Sequence, residues 1–416
     1  MRSIGRNIGL LKLSSPYFRV LLNILFCISY IVFMSSYLLR SKLLGGHVLS
    51  NVSFYAFCLF LISFLLLYKT GDVLSSFRWS RADTLVCIYS LFVIYSFVIS
   101  VDKSFSMKYI LNSIFYGVLL YFILKEYISV RLHNIGLMFI LFLSPVFLSV
   151  FISPVFRYEV GNISGIFSNK NSFGFFASIV SSFLIFFFYN RGLLFTLVSV
   201  PSMLLVLLSG CRTAVFALIV VLSLFCLYLI MLGRYRLLSV LSLILVFMFV
   251  AMSLKYSRYV REKLSVIFHP ASESSVVSRF HIYRSCLNVI SFNKYVGFGF
   301  GNVNKVICKD ISNVKQEFGI YYDNFCSGGC HNMFLECMLQ GGVIGAIYVL
   351  CFYSYVFYIL FLFFFKRCNI CLAVACSLLS IAVFSITEVA MFSKMEVVRF
   401  LLLSLASCCE LYVAKR

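Results

Sequence analysis

GGVIGAIYVLCFYSYVFYILFLFFF, residues 341–365, contains no Asp, Glu, Lys, Arg or His, and Lys366 and Arg367 close it. About 20 apolar residues of helix cross the ~30 Å hydrocarbon core of a bilayer. Comparable runs recur near 18–39, 50–68, 84–101, 108–124, 134–153, 171–189, 192–209, 212–232, 236–254, 369–390 and 396–413, those at 108–124 and 192–209 being short. The expected fold class is therefore all-α, a polytopic membrane protein with about 12 transmembrane helices. No segment reads as strand-rich, and no repeat is visible.

Composition agrees. The 416 residues are 62% hydrophobic and 12% charged, with a mean hydropathy of +1.02. Soluble domains carry about 25% charged residues, so this chain belongs in lipid. Its net charge of +21 would suggest nucleic acid in a soluble protein. Here Lys and Arg serve mainly as topology determinants, and no nucleic-acid partner is expected. They concentrate in alternate connections, among them Arg2, Arg6, Lys12, Lys69, Arg78, Arg81, Lys125, Arg131, Lys366, Arg367, Lys415 and Arg416. The opposite connections hold fewer, such as Lys103, Lys170 and Arg212. Basic loops face the cytoplasm, so both termini are expected there. The first run is expected to be a retained helix, being too long for a signal peptide and lacking a cleavage site.

Residues 255–340 contain no spanning run and fall on the outer side by this count. The chain then divides into helices 1–9 over 1–254, a large, partly helical outer loop over 255–340, and helices 10–12 over 341–416. In the loop, SRFHIYRSCLNVI (278–290) places Ile282, Cys286, Val289 and Ile290 on one helical face, with Ser278 a candidate cap. KYSRYVREKLSVI (255–267) reads as a basic helix at the interface. Most of the 16 cysteines lie in apolar runs and behave as small hydrophobes. Cys308, Cys326 and Cys330 share the loop, where an oxidising compartment could bridge two of them. The loop lacks a paired Cys-x-x-Cys set, so no metal site is expected.

Ionisable groups in spanning helices cost at least ~2.5 kcal/mol at the centre. Here they are few and gather at the outer end: Lys170, Arg212, His331, Glu388 and Arg399. Lys170 can also snorkel, and Glu388 with Arg399 also suits a structural ion pair. Two guanidinium forks can hold a diphosphate and stabilise the charge that builds as it leaves. A neutral His beside them can take a proton from an attacking hydroxyl. Together they describe transfer from a lipid diphosphate to an alcohol with neither metal nor cofactor.

Four segments in this order resemble the bacterial O-antigen ligase and surface-polysaccharide polymerase superfamily. They are GIFSNKNSFG (165–174), LSGCRTAVFA (208–217), SRFHIYRSCLNVISFNKYVGFGFGN (278–302) and CHNMFLECMLQGGVIGA (330–346). Cys211 stands where the family usually has Ser. The resemblance implies a metal-independent, inverting glycosyltransferase of the inner membrane with a periplasmic active site. Its donor would be an undecaprenyl-diphosphate-linked oligosaccharide. The acceptor glycan would be a lipid-linked repeat unit (polymerase) or the lipid A core (ligase), with a chain-length regulator protein as a further partner. Carried over by motif, Arg212 and Arg279 would contact the diphosphate and His331 would activate the acceptor hydroxyl. Asn169, Lys170, Asn171, Arg284, Asn332, Glu388 and Arg399 are expected substrate contacts. GFGFG (297–301) is expected to make a tight turn with close backbone packing. The NKN segment, the Arg-Thr pair and HNMFLE look more like polymerases. A lipid-linked glycan flippase is the alternative of another class, although transporters favour midplane sites and internal repeats.

Overall fold

The computed structural model describes residues 16–39, 46–70, 78–100, 102–156, 158–159, 162–167, 169–234, 274–300, 330–387 and 394–415. The expected span 236–254, the interfacial helix 255–267, Cys308, Cys326 and Glu388 lie outside these residues.

Among the described residues the chain forms twelve helices. Helix α1 is Pro16–Leu39, α2 Gly46–Lys69 and α3 Arg81–Val98. Helix α4 runs from Lys103–Leu111 through a π-helical stretch, Asn112–Leu119, into Leu120–Ser129. Helix α5 is Ile135–Phe156 and α6 Lys170–Phe188. Helix α7 joins Gly192–Leu194, the π-helical Phe195–Ser199 and Val200–Leu208. Then come α8 (Arg212–Met231), α9 (Ser274–Phe292), α10 (Met333–Phe365), α11 (Asn369–Phe384) and α12 (Lys394–Lys415). Between α5 and α6, Tyr158–Glu159 pairs antiparallel with Asn162–Ile163, a ladder too short to alter the all-α class. Eight helices are long and apolar enough to cross a membrane, and α7 and α11 are shorter apolar helices. This is a multi-pass membrane protein.

Burial sorts helices of similar apolarity. In α6 and α12, 78% and 72% of the apolar window is buried, against 33% in α1 and α2. A helix apolar all round is an interior one when others surround it, and small residues permit the close approach. Helix α11 supplies Ala373, Ala375, Cys376, Ser377 and Ser380, all buried. Ser380 Oγ meets Ser182 Oγ of α6 at 2.6 Å, and Ser377 Oγ donates to Ile179 O at 3.2 Å.

The bundle has two distinct ends. At the basic end, Ser80 and Asp83 form the capping box that starts α3. Lys125 Nζ lies 2.5 Å from Asp83 Oδ2, both side chains fully buried, and donates to Arg78 O at 2.8 Å. Tyr121 and Ser80 also donate to Asp83. A cavity of about 130 Å³ beside them is lined by Arg78, Lys125, Glu126, Ser129, Leu132, Leu411 and Lys415.

The opposite, loop end is organised by a break in α10. Gly341 and Gly342 leave helical geometry, Gly342 with φ of +57°. A break strands backbone groups that need partners. Phe298 N donates to Leu339 O at 2.7 Å, Gly299 N donates to Gln340 O at 2.9 Å, and Val343 N donates to Tyr295 O at 3.3 Å. Phe300 N ties the same stretch to Ser96 O of α3 at 3.1 Å. This is the close backbone packing expected of GFGFG. A Cβ at Gly297 would stand 2.6 Å from Gly342 N, and one at Gly299 would stand 2.2 Å from Ser100 Cα, with φ of +83° and +89°.

Two local expectations change. Helix α10 begins at Met333 rather than 341, so its first segment belongs to the expected loop. Ser278 is no cap, because α9 starts at Ser274. The expected face of α9 is buried: Ile282, Cys286, Val289 and Ile290 pack with Cys330, Leu335 and Leu339.

Candidate functional site

The turn CHN, residues 330–332, is held from three sides. Asn332 caps α10, its side-chain oxygen accepting from Leu335 N at 3.0 Å. Its Nδ2 donates to Ile386 O at 2.8 Å, and Met333 N donates to Ser385 O at 3.0 Å. Cys330 N donates to Glu336 Oε2 at 3.1 Å, and Gln340 Nε2 donates to Glu336 Oε1 at 3.0 Å. Between these anchors His331 adopts φ of +49°, a region uncommon for residues other than glycine. Its carbonyl accepts from Tyr283 OH of α9 at 3.1 Å. The buried Glu336 thus braces the turn.

The turn after α11, Ser385–Thr387, also receives the Arg212 segment. Thr213 Oγ1 and Thr387 Oγ1 are 2.7 Å apart. Gly210 has φ of +64°, and Cys211 N donates to Ser209 Oγ at 3.1 Å. These contacts turn the chain into α8, leaving Arg212 exposed at its first position and Cys211 buried. Gly174 of α6 lies directly against this turn; a Cβ there would meet Cys211 Cβ at 2.6 Å. The start of α6 therefore packs beside the start of α8. Asn169 caps α6, its oxygen accepting from Ser172 N at 2.7 Å, which engages that oxygen in the fold. Lys170 is exposed and Asn171 half-buried.

On α9, Arg279 is half-buried and Arg284 exposed, and Tyr283 lies between them. Cys286 of the same helix faces Cys330 with their Sγ atoms 3.2 Å apart. The Cys330 partner seen here is thus Cys286, a residue not among the three loop cysteines considered from sequence. Burial pushes the Cys330 thiol well above the usual range.

Arg399, expected among the groups at the outer end, lies inside the bundle. It is fully buried, stacked near Tyr89, Phe400 and Tyr348 at 4.9, 5.2 and 5.9 Å from the ring centroids. The carboxylate found near it is Glu396 of its own helix, 3.9 Å away, and Tyr89 OH donates to that carboxylate. Position alone suggested the outer rim; Tyr89 and Tyr348 come from α3 and α10, which local sequence does not reveal.

Three helices, α6, α8 and α10, begin at this end within one set of contacts. Helix N-termini carry partial positive charge and suit anions. Sequence reasoning missed Tyr283, Thr387 and the carbonyls of Ser385 and Ile386. The Gly341-Gly342 pair inside an apolar run was a usable sign of the break.

Residues 194–350 match the family model described as O-antigen ligase. The matched segment includes the Arg212 turn, α9 and the His331 turn. No curated protein matches the chain.

Proposed function

We propose that the chain, read as an O-antigen ligase superfamily glycosyltransferase, moves a glycan from undecaprenyl diphosphate to a sugar hydroxyl. The reaction takes place on the periplasmic side of the bacterial inner membrane, with both termini in the cytoplasm. Arg212 and Arg279 hold the diphosphate. Lys170, Asn171 and Arg284 extend the cationic rim, and Asn169 and Asn332 set its helix starts. Glu388 is a further substrate contact in this reading. His331 takes the proton of the acceptor hydroxyl as the oxygen attacks the anomeric carbon. The bond to the diphosphate breaks, the arginines stabilise the leaving charge, and the anomeric centre inverts. No metal is required in this scheme.

One observation carries the reading: the His331 turn and the start of α8 both bond to Ser385–Thr387, and helix α9 bonds to the His331 turn. Helix length fits the substrate. Helix α11 has 16 residues and is ~24 Å long at 1.5 Å per residue, against a core of about 30 Å. A helix starting at the basic interface therefore ends below the outer one, where a lipid-borne diphosphate can descend to meet it.

The acceptor we favour is another lipid-linked repeat unit, making the protein a polymerase. The description of the matching family favours the second reading, a ligase that loads lipid A core. Surface polysaccharide from a deletion strain, resolved on a gel, tests both. A ladder collapsing to one repeat on lipid A core indicates a polymerase; loss of all attached glycan with polymer left on the carrier indicates a ligase. Complementation with His331→Ala should leave the deletion pattern unchanged, the rate falling about 10²–10⁴-fold, while the protein reaches the membrane in normal amount. Restored polymer with that variant would exclude a transferase centred on His331 and leave transport.

A further inference from the structure

We propose that Cys286 and Cys330 form a disulfide that staples helix α9, which bears Arg279, to the turn that bears His331. The two Sγ atoms are already 3.2 Å apart. Both residues are fully buried, in a small cluster with Ile282, Val289, Leu335 and Leu339 that stands apart from the main core. Tyr283 OH of α9 also donates to His331 O of the turn. A covalent link at this point holds two substrate-contacting segments that come from opposite ends of a 44-residue interval.

The proposal rests on the periplasmic placement of the loop end in the preceding reading, because disulfides persist in oxidising compartments. The molecule holds its own comparison. Cys368 and Cys371 also bring their Sγ atoms close, at 2.9 Å, but at the basic end beside Lys366 and Arg367. On the cytoplasmic side that pair stays reduced.

Formation is an exchange with a protein disulfide of the oxidising compartment. Cys286 and Cys330 each release one proton, and together they give up two electrons as their S–S bond forms. The partner's disulfide breaks, accepts the two electrons and leaves as a dithiol carrying both protons. Thiolate is the reactive form, and burial pushes the Cys330 thiol up. The bond therefore forms while the loop packs, and once formed it is shielded from reductants.

The test uses the full-length protein in its native membrane. Cells are quenched in acid, the protein is denatured with a thiol-alkylating reagent, and peptides are mapped without and with reduction. The expected result is a Cys286–Cys330 peptide pair, with Cys368 and Cys371 alkylated. Phe292→Cys, at an exposed position of α9, reports sidedness through a membrane-impermeant maleimide. Free Cys286 and Cys330 with Phe292→Cys labelled from outside overturn the disulfide and leave the transferase reading standing. Free Cys286 and Cys330 with Phe292→Cys labelled only after lysis overturn both. Cys330 linked to Cys308 or Cys326 also overturns the proposal. Function supplies a second measurement. Cys286→Ser, Cys330→Ser and the double variant should lose polymer to the same extent, since either single change already removes the bond. Stepwise, additive losses would mean simple packing and would overturn it.

Discussion

At the scale of single residues, Asn332 does two jobs that can be separated. Its oxygen caps α10 and its amide nitrogen holds Ile386 O. Replacing a cap residue by Ala costs about 1 kcal/mol, so Asn332→Ala should lower the unfolding midpoint as well as transfer. Asn332→Asp keeps the capping oxygen, and a carboxylate suits a helix N-terminus. It loses the donor to Ile386 O and sets a negative charge where the donor diphosphate is proposed to lie. The Asp variant should therefore unfold close to wild type while glycan transfer falls at least about tenfold, a loss of ~1.4 kcal/mol in transition-state stabilisation. Thermal unfolding in detergent and polymer yield on washed membranes check this pair. Equal activity of Asp and wild type would mean that the tie to Ile386 does not position His331. The sequence singled out His331 as a candidate, because a His-Asn pair stands at the edge of an apolar run. Its left-handed backbone was not legible there, because that conformation is imposed by partners on α9 and α11.

At the scale of elements, the break in α10 and the glycine turn after α9 are two halves of one joint. The carbonyls of Leu339 and Gln340 lose their helical partners at Gly341-Gly342 and recover them from Phe298 and Gly299. The joint needs bare backbone at Gly299, where φ is +89° and an added Cβ would press on Ser100 at 2.2 Å. Gly299→Ala should cost more than the ~1 kcal/mol of an ordinary glycine substitution, because contact with backbone cannot relax by rotating a side chain. The expected outcome is a loop released from α3, read as new protease cleavage near 295–300, with transfer reduced by the same variant. Substitution at Gly192, which has open space around it, is the control and should leave both unchanged. The glycines and the apolar face of α9 were readable in the sequence, as periodic or special residues. That the turn docks on a helix break was not, because the matching halves lie some 40 residues apart and meet only through backbone hydrogen bonds, which leave no side-chain pattern.

At the scale of the whole molecule, the apolar runs were readable because a bilayer demands helices of nearly fixed length, and each run reports that demand locally. The polar ties between helices were not, because each joins distant segments. Lys125 and Asp83 illustrate this. They come from different helices and are both fully buried at 2.5 Å, far from the loop end. Removing one partner of a buried ion pair costs about 3–5 kcal/mol, whereas replacing both by neutral groups is much milder. The two single changes should differ. Lys125→Met leaves Asp83 with donors from Tyr121 OH and from Ser80 N and Oγ. Asp83→Asn leaves an ammonium beside the Arg78 carbonyl with its counter-charge gone. Asp83→Asn should therefore be the more destabilising single change, and the double variant should recover part of the loss. Unfolding midpoints of the four proteins in one detergent give the coupling. Strictly additive losses would show that the pair contributes no mutual stabilisation at this end. Transfer per folded molecule should stay at the wild-type level in all four, because the pair anchors the basic end while His331 and Arg212 belong to the other.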